Sequence, residues 1–190
     1  MILYERDAKL YVPQKICLTK GVGKHREKLT SFEMALRNAQ IASFNLVSVS
    51  SIYPPGCSFL SLNTGLGELT PGQIVHAVIS KNATNEPNRL VAASIGVAVP
   101  KKKDLYGYLS EHHSYGETAH IAGDYAEDIA AEMLATILGV AFDADASWDE
   151  KRSQWKISGQ IVRTRNITQT ARGDKNGLWT SVIAAAILLP

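Results

Sequence analysis

The alternation of apolar and polar positions along this chain predicts a series of short strands interrupted by two helices. Runs that alternate residue by residue, or that are short and almost wholly apolar, predict strands at 15–19, 44–50, 73–80, 90–99, 105–110, 156–167 and 179–189. Apolar residues that recur every three or four positions predict helices at 31–40 and 118–139. Because the helices are segregated from the strands, this order predicts an α+β fold whose sheets are mostly antiparallel.

Both helices carry further signals in the sequence. Thr30 and Glu33 have the spacing of a capping box, which predicts that the first helix begins there. Gly139 stands where the second helix would end. Large apolar residues occupy every fourth position of the second helix, and we interpret them as a stripe that faces the core: Ile121, Tyr125, Ile129, Met133 and Ile137.

The length of 190 residues corresponds to about one domain, so we expect a single domain over 1–190. Gly21 and Gly23 predict a turn that ends the first strand. Residues 90–99 are nearly all small or apolar, which favours a central strand. We expect helices to flank the sheets, as in an αββα-type sandwich.

Composition and charge exclude several classes of protein. Lys and Arg number 20 against 18 Asp and Glu, and the net charge of +2 is too small for a surface that binds nucleic acid or an anionic membrane. Cys17 and Cys57 show no metal-ligand or disulfide spacing, so we expect no metal and a reducing compartment. Early charges at residues 5–7 argue against a signal peptide, and no run reaches about 18 apolar residues, so we expect a cytoplasmic protein.

The usual catalytic signatures are missing from the sequence, among them phosphate-binding and dinucleotide-binding loops and the metal-binding helix pattern. Adjacent residues of a strand point to opposite faces, so His112 and His113 cannot share a metal ion. The run 101–103 consists of three lysines and is interpreted as a solvated turn. Arg163 and Arg165 share a strand face that either meets acids of another subunit or faces solvent.

A serine pair, Ser50 and Ser51, stands where a predicted strand runs into a turn forced by Pro54 and Pro55. Together with Ile52, this string resembles the signature of the pyruvoyl-dependent arginine decarboxylases, a family of self-processing enzymes. Other elements similar to those of the family recur from about residue 15 to the end of the chain: Phe32-Glu33, Ala35-Leu36, Asn45-Leu46, Ala93-Ser94-Ile95, Val99-Pro100, Gly107 and Glu111.

The resemblance implies that the chain cuts its own backbone between Ser50 and Ser51. The hydroxyl of Ser51 would attack the carbonyl carbon of Ser50, and elimination from the resulting ester would give chains of residues 1–50 and 51–190. Strain held in the turn would favour that attack. Residue 51 would become a covalent pyruvoyl group, and the implied reaction is decarboxylation of L-arginine to agmatine and CO2.

The resemblance also implies roles for two polar residues. Glu111 matches the family's proton donor and stands at the end of the predicted strand 105–110, where burial would raise its pKa. Asn45 matches an asparagine near the cofactor. In extended chain Asn45 and Ser51 are about 20 Å apart, so either the strand bends sharply or neighbouring subunits share the site. We expect the second arrangement, in the homotrimer that the resemblance implies.

Glu33 matches the position at which the family has an acid for the substrate guanidinium, and a carboxylate pairs bidentately with that group. Members from archaea carry the shorter aspartate there. The residue is equally well explained by the capping box or by an ion pair with Arg37, one helical turn away. Its role in binding substrate is therefore one of three interpretations.

Two other functions remain open at this level. The same mechanism could act on another amino acid, because Glu33 would change the distance at which a basic side chain is held. The chain could also be an uncleaved, non-catalytic trimer that binds a partner. A serine hydrolase at Ser51 lacks an oxyanion-loop signature and evident His and Asp partners. Pairing of trimers into a hexamer is not decided by the sequence.

Overall fold

The computed structural model describes residues 11–139 and 161–190, which form nine strands and three helices within these ranges. In chain order the elements are β1 (Lys15–His25), α1 (Lys28–Asn38), β2 (Asn45–Ser48), β3 (Ile52–Tyr53), β4 (Ser58–Phe59), α2 (Leu62–Gly67), β5 (Ile74–Thr84), β6 (Leu90–Pro100), β7 (Gly107–Tyr115), α3 (Ala119–Ile137), β8 (Ile161–Arg172) and β9 (Trp179–Leu189). In the part of the chain that is described, no helix is long and apolar enough to cross a membrane.

The strands form two sheets that pack face to face. The five-stranded sheet has the order β2-β5-β9-β1-β4, and the four-stranded sheet has the order β3-β7-β6-β8. Most neighbouring strands are antiparallel, whereas β2 pairs with β5 and β1 with β4 in parallel. Helices α1 and α2 cover the outer face of the five-stranded sheet, and α3 covers that of the four-stranded sheet. The predicted α+β fold with an αββα arrangement is confirmed.

The main core lies between the two sheets, where apolar side chains of both inner faces meet. Val78 and Leu188 contribute from the five-stranded sheet, and Ile95 and Leu109 contribute from the four-stranded sheet. Strand β6 lies between β7 and β8 and is almost wholly buried, as its small and apolar sequence predicted. The predicted bounds of β9, residues 179–189, are also confirmed.

The predicted turn at Gly21 and Gly23 is wrong, because β1 continues through both glycines to His25. Their role is to let α1 lie close to the sheet. A Cβ atom on Gly21 would lie 2.2 Å from the carbonyl oxygen of Ala35, and one on Gly23 would lie 2.2 Å from that of Ser31. Glycine therefore allows the helix backbone to approach β1 at distances that any side chain would prevent.

The predicted capping box is also wrong. Helix α1 begins at Lys28, with Glu27 as its N-cap residue and no side-chain hydrogen bond at the cap. Thr30 therefore lies inside the helix rather than before it. The helix ends at Asn38, two residues before the predicted end.

Three of the five residues in the predicted core stripe of α3 are exposed, and Ile129 and Met133 are half-buried. Ile121 is 54% exposed, Tyr125 is 43% exposed and Ile137 is 42% exposed. The buried face consists mainly of small residues instead: Ala122, Gly123, Ala126, Ala130, Ala131 and Ala135. A Cβ atom on Gly96 of β6 would lie 2.0 Å from the carbonyl oxygen of Ala126, so this helix packs against the sheet almost backbone to backbone.

Other bounds differ from the sequence predictions. Strand β5 continues to Thr84 instead of ending at 80, and β7 spans Gly107–Tyr115 instead of 105–110. Strand β2 is shorter than the predicted 44–50. Positions 156–160 of the predicted strand 156–167 lie outside the described residues. The short elements β3, β4 and α2 were not predicted, because two-residue strands and a six-residue helix leave no periodic pattern.

Candidate active site

The Ser50–Ser51 peptide lies where the chain crosses from the five-stranded sheet to the four-stranded sheet. Before it, the backbone N–H of Val49 donates to the carbonyl oxygen of Ala77 in β5 at 3.1 Å. After it, the carbonyl oxygen of Ser51 accepts a 2.8 Å hydrogen bond from the N–H of Leu109 in β7. The peptide is therefore fixed to a different sheet on each side.

A tight turn encloses Ser51 at this crossing. The N–H of Ile52 donates to the carbonyl oxygen of Ser50 at 2.9 Å, which closes a three-residue turn centred on Ser51. Ser50 is exposed and Ser51 is half-buried. Strand β3 then leads into Pro54, so the sharp change of direction predicted from the prolines is confirmed. A mostly apolar cleft of about 390 Å³ adjoins the turn and is lined by Ser50 and Ile52 among others.

Glu111 lies on the strand that binds Ser51. Ile52 pairs with Tyr108, which places Ser51 opposite Leu109 and Glu111 at the diagonal position, about 7–8 Å away. Leu109 points into the core between the sheets, and Glu111, two residues further on, points to the same side. The predicted position at the end of a strand is wrong, because β7 continues four residues beyond Glu111.

The environment of Glu111 favours its protonated form. Although Glu111 is exposed at the surface, partial desolvation raises the pKa of its carboxyl above the ordinary value, and the nearby charge of His113 opposes that shift. A carboxyl with a raised pKa keeps its proton to higher pH than a solvated one, which suits a proton donor.

Asn45 lies at the far end of β2 from the serine pair. It is exposed, and its Nδ2 atom donates to the carbonyl oxygen of Gly72 at 2.7 Å. The ladder between β2 and β5 continues from Asn45 to Val49, so these two residues are about 13 Å apart in extended chain. The chain bends only after Val49, so the bend cannot bring Ser51 close to Asn45. The structure does not bring these two predicted site residues together within one chain.

Glu33 lies on α1 and already contacts a guanidinium. Its Oε1 atom accepts a 2.5 Å hydrogen bond from Nε of Arg37, one helical turn away. Both side chains are partly exposed, at 40% for Glu33 and 72% for Arg37. Of the three sequence interpretations, the ion pair is observed and the capping box is not.

The two adjacent histidines point to opposite faces of β7, as predicted. The Nε2 atom of His112 lies 2.9 Å from Oε2 of Glu117, and the imidazole ring centre lies 4.6 Å from that of Tyr125 in α3. Within 11–139 and 161–190, no group of three or more His, Cys, Asp or Glu side chains could hold a metal ion.

One polar cluster was not predicted from the sequence. Glu117 Oε2 accepts hydrogen bonds from His112 and from the hydroxyl of Ser114, the latter at 2.8 Å. Burial opposes ionisation of Glu117, but these hydrogen bonds together outweigh it and lower the pKa of the carboxyl. The cluster joins the end of β7 to the start of α3. The sequence indicates this cluster only through the spacing of His112 and Ser114, which are two positions apart and therefore share one strand face.

Two groups of basic residues lie outside this region. The three lysines of 101–103 lie in an exposed turn, as predicted. Arg163 and Arg165 lie near Tyr53, and the guanidinium of Arg165 lies 4.5 Å from the ring centre of Phe59. Their shared face therefore covers an aromatic pair of the chain itself.

Comparison with known proteins identifies the family. The family model described as pyruvoyl-dependent arginine decarboxylase (PvlArgDC) matches residues 15–190. The chain is 62% identical over 180 residues to a "Probable pyruvoyl-dependent arginine decarboxylase" of Chloroherpeton thalassium, covering 95% of this chain and 99% of the relative. It is 59% identical over 178 residues to the "Pyruvoyl-dependent arginine decarboxylase" of Nitrosopumilus maritimus, covering 94% and 97%. The chain belongs to the pyruvoyl-dependent arginine decarboxylase family.

Proposed function

We propose that this chain is a precursor that cuts itself between Ser50 and Ser51 and then decarboxylates L-arginine to agmatine and CO2. Family membership over residues 15–190 supports the reaction and its pyruvoyl cofactor. The observation that carries the assignment to these residues is the Ser50–Ser51 peptide itself, which is tied to both sheets and faces the strand of Glu111. The products would be residues 1–50 and 51–190 of one domain.

The proposed cleavage needs only atoms of the chain and water. Ser51 Oγ bonds to the carbonyl carbon of Ser50, the amide C–N bond breaks, and the hydroxyl proton ends on the nitrogen of Ser51. Removal of the Cα proton of residue 51 then breaks its Cβ–O bond and releases Ser50 as a carboxylate. Water replaces the nitrogen of residue 51, which leaves as ammonia.

The residues around position 51 fit a pyruvoyl group. Such a group keeps the carbonyl of residue 51, and the N–H of Leu109 already binds that oxygen. When present, the group supplies a ketone that binds the substrate amine and accepts the electron pair released with CO2. Glu111, on the same face of β7, would then supply the proton that replaces CO2 on the substrate carbon.

We further propose that the enzyme works as a homotrimer, alone or paired into a hexamer. Asn45 and Ser51 are too far apart within one chain, so a site that uses both needs two subunits. Exposed apolar side chains near the two parts of the site would be covered by a neighbour: Val47 and Ile52, near the serine pair, are 42% and 37% exposed, and Ile74, beside Asn45, is 65% exposed. Glu33 would hold the substrate guanidinium through the oxygen that Arg37 leaves free.

The test of this function is the intact mass of the purified protein with and without arginine and borohydride. We expect two chains, the larger beginning at residue 51 and carrying a ketone, and a further mass increase when borohydride fixes bound amine. A Ser51→Ala variant should remain one chain. Full-length wild-type protein that persists after long incubation and shows no adduct would reject the proposal.

A further inference from the structure

His113 and Glu111 occupy neighbouring positions on one face of β7. They are two residues apart on the strand, so their side chains point to the same side and are separated by about 7 Å. Both side chains are exposed. They lie on the part of β7 that extends beyond the short strand β3 and forms the edge of the four-stranded sheet. This edge also carries the hydrogen bond between Leu109 and Ser51.

Among the described residues of the elements packed around this face, His113 is the charged group that acts on the Glu111 carboxyl, and His76 of β5 lines the cleft beside Ser50 and Ile52. From β6, Ile95 and Ala93 pair with Glu111 and His113. From β5, the side chains that reach β7 are those of Ser80 and Asn82, which donate hydrogen bonds to its carbonyl oxygens.

The remaining ionisable groups nearby are accounted for. Tyr115, further along the same face of β7, has its hydroxyl on the carbonyl oxygen of Ala83. His112 and Glu117 lie on the opposite face of β7, where α3 packs. His113 is therefore the ionisable neighbour of Glu111 on its own face of β7.

We propose that His113 controls proton donation by Glu111: its imidazolium favours the ionised carboxylate and so limits the reaction in the pH range where Glu111 must donate. This inference rests on the proposed role of Glu111. The electrostatic argument agrees with the geometry, because the charge of His113 lowers the pKa that burial raises. His113 is a positioning residue in this scheme, since it acts through Glu111 and not on the substrate.

The direction and size of the effect follow from Coulomb's law. A positive charge about 7 Å away lowers a carboxyl pKa by about 0.5–1.5 units at effective dielectric constants of about 20–80. Activity that needs protonated Glu111 falls as the pH rises through that pKa. Loss of the charge should move this fall to higher pH.

The test is the pH dependence of kcat for cleaved enzyme with His113→Gln and His113→Lys substitutions. We expect the alkaline fall in kcat to move up by about 0.5–1.5 pH units in H113Q. It should stay in place or move down in H113K, because lysine keeps the positive charge. His120→Gln is the control, because His120 is 84% exposed on α3 and pairs with Asp124.

The outcomes separate this inference from the proposed function. If Glu111→Gln abolishes turnover while H113Q and H113K leave the pH profile unchanged, His113 does not control Glu111 and the inference fails. If Glu111→Gln leaves kcat unchanged in cleaved enzyme, the proposed role of Glu111 fails first. A rise in KM in H113Q at constant pH profile would indicate a substrate contact and would also contradict the proposal.

Discussion

The backbone N–H of Leu109 binds the carbonyl oxygen of Ser51 at 2.8 Å, and this bond fixes the serine pair to the strand that carries Glu111. Glu111 is two positions after Leu109 on β7, so the distance between residue 51 and Glu111 is set by strand geometry. A loop could not hold the two groups with the same precision, because its backbone has no neighbouring strand to fix it. Any shift of β7 would move residue 51 and Glu111 together.

Replacement of Glu111 by glutamine should leave self-cleavage intact and lower kcat. The amide keeps the size of the side chain but has no proton to donate at neutral pH, and loss of a general acid costs about 10²–10⁴-fold. The measurement is agmatine formed per cleaved chain, with cleavage scored on denaturing gels. Glu86→Gln, at a side chain 70% exposed in the β5–β6 loop, is the matched control. Unchanged kcat in E111Q would remove Glu111 from the mechanism.

Subunits defective in different residues should restore each other's activity. Asn45→Ala and Ser51→Ala chains should each be nearly inactive alone, because each lacks one part of a shared site. Coexpression should yield activity at up to about a quarter of the sites, by random mixing in a closed ring. The measurement is turnover of the mixed protein against each parent. Absence of restoration in mixed oligomers would place both residues in the same subunit's site.

Substitution of Glu33 by glutamine should raise KM for arginine by about tenfold with a smaller change in kcat, since a charge-assisted hydrogen bond contributes about 1.5–3 kcal/mol. Oε1 already accepts from Arg37, so the substrate guanidinium would use Oε2. The assay should compare arginine with ornithine and lysine. If selectivity is the same in E33Q and wild type, the guanidinium is bound elsewhere.

Ionised Glu117 should stabilise the fold at neutral pH and lose this contribution in acid. Its pKa is lowered in the folded chain, so its contribution to stability is present above the unfolded value near 4.5 and is lost as the pH falls through the lower, folded value. Glu117→Gln should therefore unfold more easily than wild type at pH 7, and the difference should shrink below about pH 4.5. Urea midpoints at pH 7, 5 and 3.5 measure this. A difference that stays constant with pH would mean that the ionised form carries no stability.

Alanine at Gly96 should destabilise the fold by about 1–3 kcal/mol, because the new methyl group has no room against α3. Its Cβ would lie 2.0 Å from the carbonyl oxygen of Ala126, and a helix backbone cannot move aside cheaply. Gly67→Ala is the control, since a Cβ there meets nothing within 4 Å. Equal urea midpoints for the two variants would show that α3 adjusts its distance from the sheet.

The sequence predicted the architecture better than it predicted the packing. Nearly continuous runs of small and apolar residues predicted β6 and β9, because those strands are buried on both faces. The buried face of α3 was assigned to the wrong side, because hydrophobic periodicity favours large residues. Where α3 lies closest to the sheet, at Gly96, only small residues fit beneath the helix, a constraint that lies in β6 rather than in the helix. In the same way, the two glycines of β1 predict a turn from the sequence alone, because the sequence does not show that α1 packs closely over them.

The site was found through the serine pair, since two hydroxyl residues before a double proline are rare enough to stand out. The register between β3 and β7 could not be predicted, because β3 has only two residues. That register decides that Glu111 is diagonal to Ser51. The relation between His113 and Glu111 was also not predicted, because the predicted strand ended at residue 110, before both of them.

The position of β1 determines what a cut at residue 50 would do to the molecule. Strand β1 runs through the interior of the five-stranded sheet and pairs with β9 along its whole length, from Lys15 to His25. A cleaved amino-terminal fragment would remain hydrogen-bonded to β9, and its release would require disruption of the five-stranded sheet. The nicked product should therefore purify and melt as one body, and its two pieces would come apart only in denaturant.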